Sequence, residues 1–199
     1  HKAAFLISAA QDVIKLEDYK AAKNGGSVGL FSMDGFGNAT SCVLTMGKSF
    51  GLGVVAGETG IIVAAPEEVG SGLKIAPVIM ANHNISRVLL VASSAGDQYA
   101  GVVLASTLMM VLDGMIPVEE ALTKARVAPG LRPKDIVVEK SLNRGAKEAL
   151  IKKGWALHTR TNIGQLNLIF CNIGDENQVK NCVLRTDPRT AAFGVNLEF

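Results

Sequence analysis

Phe50-Gly51-Leu52-Gly53-Val54-Val55-Ala56-Gly57-Glu58-Thr59-Gly60-Ile61-Ile62-Val63 runs straight into Ala64-Ala65-Pro66-Glu67-Glu68-Val69, and the fold hangs on how this stretch is read. Just ahead of it, Gly47-Lys48-Ser49 imitates the end of a phosphate-binding loop. The first glycine of that motif would have to stand at position 42, which is Cys42, and Phe50-Gly51 does not open a helix, so no phosphate cradle is expected. Residues 61–64 read instead as a short strand.

Working outward, residues 27–33 and 38–45 are strand-like runs around Asp34-Gly35-Phe36-Gly37, a hairpin signal. Residues 76–82 and 85–92 continue the sheet, with His83-Asn84 as a tight turn between them. Residues 98–112 are apolar all round, as in a helix buried between layers, and Pro117 sits at the first turn of a second helix ending near Arg126. A strand over 135–139, an amphipathic helix over 143–153 closed by Gly154, and strands over 155–158, 165–172 and 179–184 complete the chain. Near the start, residues 9–23 have helical spacing and Asn24-Gly25-Gly26 stops them. Strands, then helices, then strands, without regular βα alternation, predict an α+β fold of two sheets with helices packed on them.

The chain has 199 residues, 48% of them hydrophobic, and a mean hydropathy of +0.28, which is rich for a solitary domain and points to apolar surface that meets a partner. Its 20 basic and 18 acidic residues nearly cancel and aromatics reach only 5%, so nucleic-acid binding is not expected. The longest uncharged stretch falls short of the about 20 residues that a bilayer-spanning helix needs, so no membrane span is expected. His1-Lys2 and the apolar residues after it faintly imitate a signal peptide but are expected to lie mid-polypeptide. His1, His83 and His158 stand apart without metal-ligand spacing, so neither metal nor cofactor is expected. Of three cysteines at least one is unpaired; Cys171 and Cys182 flank the turn-like Gly174-Asp175-Glu176-Asn177 and are candidates for a disulfide across a hairpin. Asn38-Ala39-Thr40 and Asn84-Ile85-Ser86 are acceptor sequons for N-glycosylation, and together they point to a secreted, extracellular protein.

The glycine-rich stretch resembles the Phe-Gly-x-Gly-[IV]-[VM]-x-Gly-x-[ST]-Gly-Ile-[LI]-[LF] segment of the small subunit of γ-glutamyltransferases. Gly37-Asn38-Ala39, Val118-Glu119-Glu120-Ala121 with Arg126, and Arg185-Thr186-Asp187-Pro188-Arg189 are similar to further segments of that family in the same order. The resemblance implies an N-terminal-nucleophile hydrolase, a four-layer αββα sandwich built by a large and a small subunit released from one precursor. This chain would supply the small-subunit part over residues 27–199. Residues 1–26, with Asp18-Tyr19, resemble the end of the large subunit and a shortened linker.

In that family a freed Thr attacks the γ-glutamyl carbonyl while its own α-amine takes the proton. The resemblance places that role on Ser27, and the hydroxyl partner of the nucleophile on Thr45. Within the chain as written, Ser27 follows Gly26 and has no free α-amine. The amide that helps bind the substrate α-carboxylate maps to Gly47. The carboxylate that grips the α-amine maps to Val69, leaving Glu67 and Glu68 as substitutes after a loop shift. The paired serines match the Ser71-Gly72-Leu73-Lys74 region, where only Pro77 of the segment survives. Ser71 and Lys74 also have the spacing of a serine β-lactamase pair, without its companion motifs. The oxyanion loop matches Ala92-Ser93-Ser94-Ala95-Gly96, which leaves Ser93, Ser94 and Gly96 as candidate substrate contacts. The expected protein is therefore a catalytically silent relative with a binding, decoy or structural role. Its expected partners are a large-subunit-like half and an amino-acid or glutathione-like ligand. The alternative is an active amidohydrolase using Ser27.

Overall fold

The computed structural model describes residues 27–48, 50–66, 75–173 and 179–195. The helix expected over residues 9–23, Glu67, Glu68, Val69, the 71–74 segment and the 174–177 turn lie outside them. In order come β1 (Ser27–Met33), β2 (Ala39–Thr45), β3 (Ile75–Asn82), β4 (Arg87–Ala95) and a 3-10 turn (Asp97–Tyr99). Then follow α1 (Ala100–Leu112), α2 (Val118–Thr123), β5 (Val127–Pro129), β6 (Asp135–Glu139), α3 (Arg144–Lys152), β7 (Ala156–Arg160), β8 (Gln165–Ile173) and β9 (Val179–Arg185). The chain divides into two units, His1–Val28 with Leu44–Ser71, and Gly29–Val43 with Gly72–Phe199.

In the smaller unit the glycine-rich stretch folds back on itself. The Leu52 and Val63 amides donate to Val63 and Val54 carbonyls at 2.9 and 2.8 Å, Ala56 donates to Ile61, and Val55 bridges Ile62. Gly51, Gly53, Gly57 and Gly60 all take positive φ, and a Cβ on Gly51 would run into the Val63 carbonyl. The strand expected over 61–64 is therefore the return arm of an irregular loop, because left-handed glycines interrupt any regular ladder.

In the larger unit β3, β4, β8 and β9 form an antiparallel sheet in that order. β4 sits inside it, and Leu90 through Ala95 are all buried. Successive side chains of a strand point to opposite faces, so unbroken burial requires cover on both. Leu90 and Ala92 join the core built with Val103, Leu104 and Leu166 under α1. On the opposite face the β1–β2 hairpin packs close: Ser41 Oγ donates to Ala92 O at 2.6 Å, and a Cβ on Gly29 would collide with the Ser93 hydroxyl. Helix α1 buries Ala100, Val103, Leu104, Thr107 and Val111, a single stripe, while Met109 and Leu112 stay exposed. Its all-round hydrophobicity is thus only half used.

A third sheet, not expected from the sequence, joins β5, β6 and β7. β6 and β7 are parallel and connected through α3, a βαβ unit inside an otherwise antiparallel protein. α3 begins where Asn143 accepts the Ala146 amide at 2.7 Å, the capping interaction that satisfies an otherwise orphaned donor. β8 and β9 are joined by a disulfide between Cys171 and Cys182, which stand opposite each other in the register, and Cys42 is an exposed free thiol.

Candidate functional site

The hairpin places the first residue of β1 beside the last of β2. There the Ser27 hydroxyl donates to Thr45 Oγ1 at 3.0 Å, and the same oxygen accepts the Gly47 amide at 3.1 Å. A nucleophilic hydroxyl must pass its proton to a base, and a threonine hydroxyl is not one. Thr45 orients Ser27; it does not activate it. Gly47 itself lies at φ 68°, and Met46 O accepts the Ala65 amide at 2.9 Å, drawing the two segments together. A Cβ on Gly47 would strike the Ala65 carbonyl oxygen. Gly47, which the resemblance matches to a side-chain amide, therefore has no room for a side chain.

Ser93, Ser94 and Gly96 lie in the larger unit, at and just beyond the end of β4. Ser93–Ala95, matched above to a loop, is regular strand paired to both β3 and β8. Ser94 is fully buried, its hydroxyl within 2.8 Å of Ala100 O and 3.0 Å of Gln165 O, so its one proton serves the fold. Ser93 is buried with its hydroxyl unpartnered beneath Gly29. Gly96, at φ 112°, opens onto a cavity of about 240 Å³ whose wall also includes Tyr99, Arg160, Asn162, Arg189 and Thr190.

Behind that wall lies a charged cluster that sequence inspection did not find, because its members are spread over more than sixty positions. Arg126 Nη2 contacts Asp187 Oδ2 at 2.7 Å and its Nη1 donates to the carbonyls of Ile163 and Gly164. Arg189 Nε and Nη2 donate to Glu139 at 2.6 and 2.7 Å. Asp187 also accepts the Leu166 amide at 2.8 Å, and Glu139 those of Arg126 and Ile163 at 3.0 Å each. Burial works to raise the Glu139 carboxyl, but Arg189 and the two backbone amides outweigh it and hold it below the ordinary carboxylate range. Burial lowers Arg126, against the opposing pull of Asp187. Arg189, also opposed by burial, is raised by its bonds to Glu139. The only signal for this cluster was the recurrence of Arg126 and Asp187-Pro188-Arg189 among the resembled segments.

Both sequon asparagines are exposed. Asn38 follows the first hairpin turn and donates to Asp34 Oδ2 at 2.7 Å, and Asn84 stands in the four-residue turn between β3 and β4. Among the described residues no group of three His, Cys, Asp or Glu side chains is arranged to hold a metal ion. Among them, too, no helix is long and apolar enough to cross a membrane.

No protein-family model and no curated protein sequence matches the chain. Solved structures do. A γ-glutamyltranspeptidase from Pseudomonas nitroreducens, complexed with L-DON, is similar with a TM-score of 0.69 at 22% identity, over 85% of this chain and 99% of that one. A point mutant of the Helicobacter pylori γ-glutamyltranspeptidase gives 0.67 at 21% identity, over 81% and 99%. The transpeptidase CapD of Bacillus anthracis gives 0.64 at 16% identity, over 85% and 99%. At such identities the likeness is one of architecture. The chain has the mixed α/β fold, antiparallel sheets with flanking helices, seen in these γ-glutamyltranspeptidase structures.

Proposed function

We propose that this chain is a γ-glutamyltransferase-type scaffold that has given up transferase catalysis and acts by binding. The observation that carries this is Gly47. By resemblance the substrate carboxylate would be held from this position, yet the backbone there is left-handed and the Ala65 carbonyl occupies the space of a Cβ. The replacement of the resembled family's acidic and serine contacts at Val69 and around Ser71 supports the same reading. An ionised substrate whose charges meet no counterpart loses several kcal/mol of binding, on the order of what a buried unpaired charge costs. Intact-mass and N-terminal analysis of the natural protein tests the proposal: a chain continuous through Gly26-Ser27 is expected, and a new N-terminus at Ser27 overturns it.

One observation favours a second reading. The Ser27–Thr45 hydrogen bond would suit an amidohydrolase whose Ser27 is freed by cleavage and accepts a different acyl group. The same N-terminal analysis separates the two.

The proposed setting is extracellular. A disulfide joins β8 to β9, and two exposed sequons stand at hairpin turns, both suited to an oxidising secretory route. Glycosidase treatment of the secreted protein should then lower its mass at Asn38 or Asn84. A large-subunit-like segment is the proposed partner for exposed apolar side chains such as Leu30, Ile79, Met109 and Met115.

A further inference from the structure

The two arginines of the cavity wall differ in what their charges face. Every N–H of Arg189 is committed: Nε and Nη2 to Glu139, Nη1 to Leu122 O at 2.6 Å and Asp187 Oδ1 at 3.3 Å, and Nη2 also to Lys124 O at 2.7 Å. Arg126 and Arg189 against Glu139 and Asp187 sum to zero charge. Arg160, the last residue of β7, is different. Its exposed guanidinium lies 5.3 Å from the centroid of the Tyr99 ring and has no carboxylate or carbonyl partner among the described residues. This cation–π contact leaves the guanidinium's fork of donors unused. Tyr99 is only 4% exposed as a residue, but its hydroxyl, which has no hydrogen-bond partner among the described residues, is not sealed from solvent. A phenol hydroxyl open to solvent at the edge of a buried ring can exchange its water for an acceptor on a ligand.

We propose that this cavity is a binding site for a small monocarboxylate, with Arg160 taking the carboxylate and Tyr99, Asn162 and Thr190 taking an adjacent amide. One uncompensated unit charge matches one carboxylate, whose two oxygens fit the planar fork. A phosphate dianion would bring a second charge that nothing on the wall neutralises. At about 240 Å³ the cavity admits a molecule of amino-acid size. The proposal goes beyond the loss of transferase activity and stands apart from it, since it concerns residues of the larger unit alone.

Calorimetric titration of the full chain with N-acetylglycine, and separately with inorganic phosphate, tests it. N-acetylglycine should bind saturably with Kd on the order of 1 mM, as suits so small a ligand. Arg160→Gln should weaken it by about tenfold or more and Tyr99→Phe by about threefold, as the loss of a charged and a neutral hydrogen bond requires. Phosphate should bind about tenfold more weakly than N-acetylglycine. Arg160 is exposed, so its variant should melt with the parent, which confirms that lost binding is not lost folding. Absence of saturable binding, equal binding by Arg160→Gln, or tighter binding of phosphate overturns the proposal. None of these outcomes bears on Ser27.

Discussion

Gly47 and Ser93 show how much a single position can decide. Restoring a side-chain amide at the first, as Gly47→Asn, should fail, since it forces a Cβ against the Ala65 carbonyl at a left-handed φ. We expect a loss of about 1–3 kcal/mol in chemical denaturation and no gain in γ-glutamyl binding. Ser93 is the opposite case. Its buried hydroxyl has no partner, so Ser93→Ala should stabilise the protein by about 1 kcal/mol, read as a raised denaturation midpoint. At Asp187, which holds Arg126 at 2.7 Å, Asp187→Asn leaves a buried cation uncompensated and should cost about 3–5 kcal/mol. The sequence announced Ser27 and Thr45 through resemblance to known segments, and the structure joins them at 3.0 Å. It could not announce what Ser94 does, because its partners, Ala100 and Gln165, stand 6 and 71 residues away.

Among the elements, legibility followed local pattern. β1, β2, β6, β8 and β9 match the expected runs to within a residue or two, since alternation and turn residues carry their own signal. The 61–64 strand failed because its neighbours are left-handed glycines. β4 was expected to end at residue 92 and extends to Ala95, its ladder being set by pairing to β3 and β8 and not by local propensity. The parallel β6–β7 pair was hidden because parallel register depends on a crossover, here α3. Glu139, at the end of β6, ties that sheet to Arg189. Its carboxyl is held below the ordinary value, so the unfolded chain takes up a proton first as pH falls. The stabilisation is complete above the unfolded carboxyl value of about 4.3 and is lost as pH drops from there through the folded value. Denaturation midpoints recorded from about pH 6 to about pH 3 should fall with acid, and Glu139→Gln, less stable at neutrality, should show a shallower fall. The β8–β9 disulfide closes a separation of 11 residues, and reducing it should cost about 2–3 kcal/mol by the chain-entropy account.

At the scale of the molecule, a fold shared with γ-glutamyltranspeptidases at TM-scores of 0.64–0.69 has persisted at 16–22% identity. Burial and pairing along β4, the hairpin over it and α1 under it need only apolar volume and close approach, which many sequences supply. A transferase site needs particular charges at particular places, and it is there that, on the proposed reading, this chain departs from the resembled family. Turnover of γ-glutamyl-p-nitroanilide by the full-length protein, measured beside Ser27→Ala, tests the central claim most directly. Loss of catalysis predicts nitroaniline release no faster than in buffer for either protein. Release by the parent protein that Ser27→Ala abolishes would contradict it.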